Sequence, residues 1–170
     1  MERLIAIAFL ITIITITQAC KKEAEISSID PVNWEQRTST PNDSLLEGST
    51  YLSVYSQIYS LNEHRTYDLT VTVSMRNINK NDTIYIKKAE YYDTNGSSIR
   101  TYFDKSIYIA PMETVEIVID EIDNKGGTGA NFLFDWSITK NSSEPYFEAI
   151  MISTSGHQGL SFTTRGINLK

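Results

Sequence analysis

The chain has 170 residues, 41 % of them hydrophobic, with ten Tyr, six Phe and two Trp. That is enough apolar area to close one core unaided and too little length for a second. A net charge of −6 with scattered basic residues lacks the positive stripe of a nucleic-acid binder, and the lone cysteine, Cys20, excludes an internal disulfide.

The first element is the apolar run LIAIAFLITIITI from Leu4 to Ile16, preceded by Met1-Glu2-Arg3 and followed by Thr17-Gln18-Ala19-Cys20. A membrane-spanning helix needs about 20 apolar residues, so the run has the length of a signal-peptide core instead. These residues resemble a bacterial lipoprotein signal peptide, in which Ala19 precedes the cut and Cys20 becomes the lipidated first residue. Thr17 and Gln18 stand where that pattern usually has Leu and a small residue. Each buried methylene of an acyl chain adds about 0.8 kcal/mol of membrane affinity, and two chains hold a domain stably. The expected organisation is a signal peptide over residues 1–19, a lipidated Cys20 and flexible tether over 20–49, and a folded domain over 50–170. Within the tether, rich in Ser, Thr, Asn and Asp, Trp34 is placed either docked on the domain or exposed.

From Thr50 onward the hydrophobic period is two. In TYDLTVTVSMRN the residues Tyr67, Leu69, Val71, Val73 and Met75 share one face of a strand. The stretch NFLFDWSIT repeats the device with Phe132, Phe134, Trp136 and Ile138, and ETVEIVID does so with Val115, Ile117 and Ile119. Further strands are expected over Tyr51–Tyr59, Thr83–Asp93, Ser98–Phe103, Ser106–Ile109, Tyr146–Ser153 and Leu160–Thr164. Asn95-Gly96 between two of them suits a type I′ hairpin turn, and the polar end QGLSFTTRGINLK around Phe162 reads as an edge strand. Seven to nine short strands without a long helix predict an all-β fold, an antiparallel β-sandwich of immunoglobulin-like architecture first and a small β-barrel second.

Tested for chemistry, the sequence is sparing. The loop DNKGGTGANF holds Gly126, Gly127 and Gly129, but it runs into a strand rather than a helix and lacks the Gly-Lys-Ser/Thr ending, so it reads as a connection that could touch a ligand. His64 and His157 fall in turn-like segments with no neighbouring His or Cys to begin a zinc motif. No Gly-x-Ser-x-Gly elbow is present, and Asp120, Glu121 and Asp123 read as a solvated turn. Lys87-Lys88 is too short for a basic patch. Tyr51, Tyr55 and Tyr59 recur at intervals of four along one strand face, and aromatic polar faces bind sugars or proteins as well as covering half-buried sheets. A ligand or partner surface is therefore expected at Tyr51, Tyr55, Tyr59, Gly126, Gly127, Gly129 and His157, with no catalytic residues, no metal and no cofactor.

The stretches YSQIYSLNEHRTYDLTVTVSMRN, AEYYDTNGSSIRTYFDK, GGTGANFLFDW and EPYFEAIMISTSGHQGLSFTTRG together resemble a bacterial domain-of-unknown-function family, number 3124, over about Tyr51 to Gly166. The resemblance implies a small exported or lipid-anchored bacterial domain and brings no catalytic residues with it. The expected protein is a non-enzymatic binding or assembly module, lipid-anchored through Cys20 on the periplasmic or surface face of the cell envelope. Its expected partners are the membrane, another envelope protein or a glycan, and not nucleic acid. A carbohydrate-binding accessory or an envelope enzyme is the alternative.

Overall fold

The structure, a computed structural model, describes residues 32–41, 45–154 and 159–169. Cys20 and His157 lie outside the described residues. Twelve strands are seen among them: β1 Leu46–Ser53, β2 Gln57–Ser60, β3 Asn62–Asp68, β4 Thr70–Arg76, β5 Ile84–Tyr92, β6 Ser98–Phe103, β7 Ile107–Ile109, β8 Thr114–Ile119, β9 Asn131–Ile138, β10 Tyr146–Ser153, β11 Leu160–Arg165 and β12 Ile167–Leu169. A six-stranded sheet runs in the order β12-β1-β9-β5-β6 with β7 also on β5, and a four-stranded sheet runs β11-β10-β4-β8. Strands β2 and β3 make a separate hairpin. Every pairing is antiparallel. The two large sheets stay open at their edges and pack face to face, so the fold is an antiparallel β-sandwich and not a closed barrel.

The alternation seen in the sequence becomes the core. Phe132, Phe134, Trp136 and Ile138 of β9, Val71, Val73 and Met75 of β4, and Val115, Ile117 and Ile119 of β8 are all buried. Phe132 and Phe134 stack at 5.3 Å with rings 3° from parallel, and Phe134 meets Phe147 of the opposite sheet at 4.4 Å. Strand β5 does not keep one parity: Ile84 and Ile86 are buried, then Ala89 and Tyr91. A bulge between Ile86 and Lys88 adds one residue and turns the second half of the strand over.

Several elements differ from their sequence-based expectation. Strand β1 begins at Leu46, inside the stretch expected to be tether, because its whole length pairs with β9 from Leu46↔Ile138 to Ser53↔Asn131. Ahead of it, a short 3₁₀ turn over Glu35–Arg37 rests on the domain, with Trp34 tilted against Phe103 at 4.8 Å. The expected strand Tyr51–Tyr59 is broken at 54–56, where Val54 N–H donates to the Ala130 carbonyl and the chain leaves for the β2–β3 hairpin. Tyr67 therefore belongs to β3 while Leu69, Val71, Val73 and Met75 face the core from β4 and its approach. His64 lies in β3 rather than a turn, exposed beside Glu63 at 3.4 Å. At Asn95-Gly96 only Gly96 has positive φ (81°), so the turn is not type I′. Asp93 decides this: its Oδ1 accepts from the N–H groups of Asn95 and Ser97, both at 2.8 Å, which holds a wider loop closed by a left-handed glycine.

Asp123 is not part of a solvated turn. It is 1 % exposed and takes a 2.7 Å hydrogen bond on Oδ2 from Arg100, whose other terminal nitrogen donates to the Tyr102 hydroxyl at 2.9 Å. Burial draws the Arg100 guanidinium toward neutrality, and Asp123 and Tyr102 more than reverse this, leaving its pKa raised. The pair fastens β6 of the larger sheet to the loop that leaves β8 of the smaller one.

Two side-chain locks can be tested by substitution, Arg100 on Asp123 and Arg37 on Glu113. Arg100→Ala strands a buried carboxylate and should cost about 3–5 kcal/mol in denaturant unfolding, whereas Arg100→Ala with Asp123→Ala should recover part of the loss. If the single and double variants unfold alike, the lock is not the cause. The second concerns Glu113, whose pKa is held low first by the Arg37 hydrogen bond at 2.6 Å and further by the Ala110 N–H, against the opposing effect of burial. A carboxylate depressed in the folded state adds stability that is complete above its unfolded pKa, near 4.3, and is lost as pH falls through the folded value. Acidification below about pH 4 should therefore loosen the Trp34 segment ahead of global unfolding, a change visible in the Trp34 indole NMR signal and reproduced at neutral pH by Glu113→Gln.

Candidate functional site

Half of each strand in the larger sheet points away from the core, and cross-strand register sorts these outward residues into rows. Tyr85, Ser137 and Glu47 form one row, and Lys88, Asp135, Ser49 and Leu169 the next. The third is Glu90, Leu133, Tyr51 and Ile167, and the fourth Tyr92, Asn131 and Ser53. An open groove of about 730 Å³ lies over the first rows, lined by Glu47, Gly48, Ser49, Lys87, Lys88, Leu133, Asp135, Trp136 and Leu169. Its volume falls within the range of about 300–1,000 Å³ usual for small-ligand sites.

The charged side chains in and beside the groove each have a partner. Lys87 Nζ meets Glu47 Oε1 at 2.7 Å, Ser49 Oγ donates to Asp135 Oδ1 at 2.6 Å, and Lys88 Nζ is bonded to Glu90 Oε2. Glu90 Oε1 also accepts from Ser98 Oγ at 3.0 Å. Lys88 first, then Tyr92, holds the Glu90 carboxyl below the ordinary range, and Glu90 in turn raises both Lys88 and Tyr92. Lys88 and Glu90 therefore stay charged near neutral pH, and Tyr92 stays a neutral phenol. The bulge in β5 is what delivers both Lys87 and Lys88 to this face; in a regular strand, neighbours would point to opposite sides.

Beneath the groove the framework is tied across three strands. Trp136 Nε1 donates to Thr50 Oγ1 at 2.8 Å, and Thr50 Oγ1 donates to Asn168 Oδ1 at 2.7 Å, linking β9, β1 and β12. Gly48 makes room for the indole, since a Cβ there would stand 2.3 Å from Trp136 Cζ2. Such a chain holds the floor in a single arrangement.

The residues singled out from the sequence are not gathered into one site. Tyr51 sits on the outer face, in the row adjoining the groove. Tyr55 lies in the connection after β1, its ring edge-on to Phe162 at 5.7 Å, and Tyr59 is 61 % exposed on the β2–β3 hairpin. The glycines pack rather than cradle: a Cβ on Gly126 would lie 1.9 Å from the Tyr91 hydroxyl, and Gly127 holds φ 72°. Gly129 N–H and the Gly126 carbonyl are both engaged by Thr94 Oγ1 at 2.9 Å. Tyr91 is itself fully buried, which pushes its hydroxyl pKa well up. The groove residues missed were Glu47, Ser49, Lys87, Lys88, Leu133 and Asp135. Leu133 and Asp135 were present as the odd positions of NFLFDW, and their meaning depends on which strands flank β9.

Among the described residues no group of three or more His, Cys, Asp or Glu is placed to hold a metal ion, and no helix is long and apolar enough to cross a membrane. A search of curated protein sequences finds no match. Among solved structures, the chain is similar to the crystal structure of Thermotoga maritima 1070, with 8 % identity and a TM-score of 0.45 over 71 % of this chain and 92 % of that one. The model of a family described as "Protein of unknown function (DUF3124)" matches residues 47–169, from the second residue of β1 to the last of β12. The chain belongs to that family of proteins of unknown function.

Proposed function

We propose that this protein is a lipid-anchored module of the bacterial cell envelope, non-enzymatic, whose outer sheet face receives a ligand or partner. The observation that carries the reading is the open groove of about 730 Å³ on the larger sheet, set on a floor cross-tied by Trp136, Thr50 and Asn168. A binding role is supported by the state of its carboxylates. Glu47 and Glu90 each hold a lysine, and Glu90 is kept below the ordinary carboxylate range, which suits accepting hydrogen bonds rather than donating a proton at neutral pH. The anchor rests on the sequence pattern: an apolar run of signal length ending at Ala19-Cys20, the chain's single cysteine. Residues after Cys20 would then serve as the tether, shortened by the docking of Trp34 on Phe103.

Two measurements test the reading. Cys20→Ser should move the protein from the membrane fraction to the soluble fraction, and continued tight attachment would refute lipidation at that residue. A photoreactive amino acid at Leu133, in the groove, should yield an adduct in intact cells that one at Ile152, exposed on the other sheet, does not. Equal labelling from both positions would remove the groove as the binding face.

A further inference from the structure

We propose that the groove on the larger sheet binds a neutral oligosaccharide. The inference deepens the binding role above and rests on it. Its ground is the alternation of charge along the face: Glu47, Lys87, Asp135, Lys88 and Glu90 place three carboxylates around two ammonium groups. Each ammonium lies against a carboxylate, at 2.7 Å for Lys87 and closer for Lys88. An anionic ligand would meet more negative than positive charge, and the lysines that could receive it are already paired. A free cation would find two of the three carboxylates, Glu47 and Glu90, already holding ammonium groups. An acyl chain or apolar peptide would have to bury Asp135 and both ion pairs without replacing their contacts with water.

A sugar avoids each of these costs. Every hydroxyl is both donor and acceptor, so adjacent hydroxyls can accept from an ammonium and donate to the neighbouring carboxylate without breaking the pairs. Hydrogen bonds to charged groups are the stronger kind. The next row supplies what the apolar face of a pyranose ring needs: Leu133 flanked by Tyr51, with Ile167 beyond it. The side chains are accessible, Glu47 at 67 %, Lys87 at 40 % and Lys88 at 39 % exposed.

The test uses the full chain purified in detergent, titrated by calorimetry with cellohexaose and chitohexaose as neutral probes and hexagalacturonate as the acidic counterpart. Saturable binding of a neutral hexaose is expected, with little or none of the acidic one. Asp135→Asn, which keeps the side-chain volume, and Lys87→Met, in the groove lining, should each weaken binding about tenfold, the scale of one hydrogen bond to a charged group. Ile152→Ala on the other sheet should leave it unchanged, and the melting temperature of each variant confirms that it is folded. No saturation by either neutral probe up to about ten millimolar, the weak limit of a useful contact, overturns the proposal, as does preference for the acid or binding unmoved in both groove variants. The Leu133 photoadduct separates this failure from failure of the binding role. A protein adduct would remove the oligosaccharide and keep the binding face, whereas labelling no different from Ile152 would remove both.

Discussion

The fold depends on the inward aromatic row of β9. Phe132 and Phe134 are stacked nearly parallel, Tyr91 of β5 lies on Phe132 at 4.9 Å, and Phe147 of the opposite sheet lies on Phe134 at 4.4 Å. One strand thus supplies the contact that joins both sheets, while its backbone pairs with β1 on one side and β5 on the other. Large aromatic side chains bury most area per residue, and offset stacking adds to it, so a central strand with alternate aromatics can organise a sandwich without a disulfide.

The same strand sets the outer face. With every even position of β9 committed to the core, Leu133 and Asp135 must point out, and antiparallel register brings Ser49 and Tyr51 from β1 and Lys88 and Glu90 from β5 beside them. The closing end of the chain reinforces this arrangement. Strand β11 lies on the smaller sheet and β12 on the larger, and the crossing occurs at Gly166, whose N–H donates to the Phe147 carbonyl at 2.9 Å. A Cβ at Gly166 would stand 2.6 Å from Thr50 Cγ2. The glycine lets the chain pass close enough for Asn168 to reach Thr50, which in turn receives the Trp136 indole.

Much of this architecture could be read from local pattern, and the exceptions share a cause. Strands β6 and β10 occupy the expected bounds, because alternation between turn residues is a local signal. Tyr51, Tyr55 and Tyr59 looked equivalent for the same reason, yet the chain changes sheets at Val54, and nothing in their spacing records it. The Asn95-Gly96 pair marks a turn but not its type, since the acceptor that shapes it is the side chain of Asp93. Asp123 looked solvated beside Asp120 and Glu121; only Arg100, 23 residues away, explains its burial.

The sequence by itself determined the all-β class, the core faces of β4, β8 and β9, and the membership of one family across residues 47–169, because each is carried by local alternation or by residue identity. Tertiary structure decided the candidate site. The groove exists because β1, β9 and β5 lie side by side although 46, 131 and 84 are far apart in the chain, and because one extra residue in β5 turns Lys88 outward. Strand neighbours and bulges follow from which long-range pairing buries the most apolar surface while satisfying the backbone, and that comparison is made over the whole chain at once.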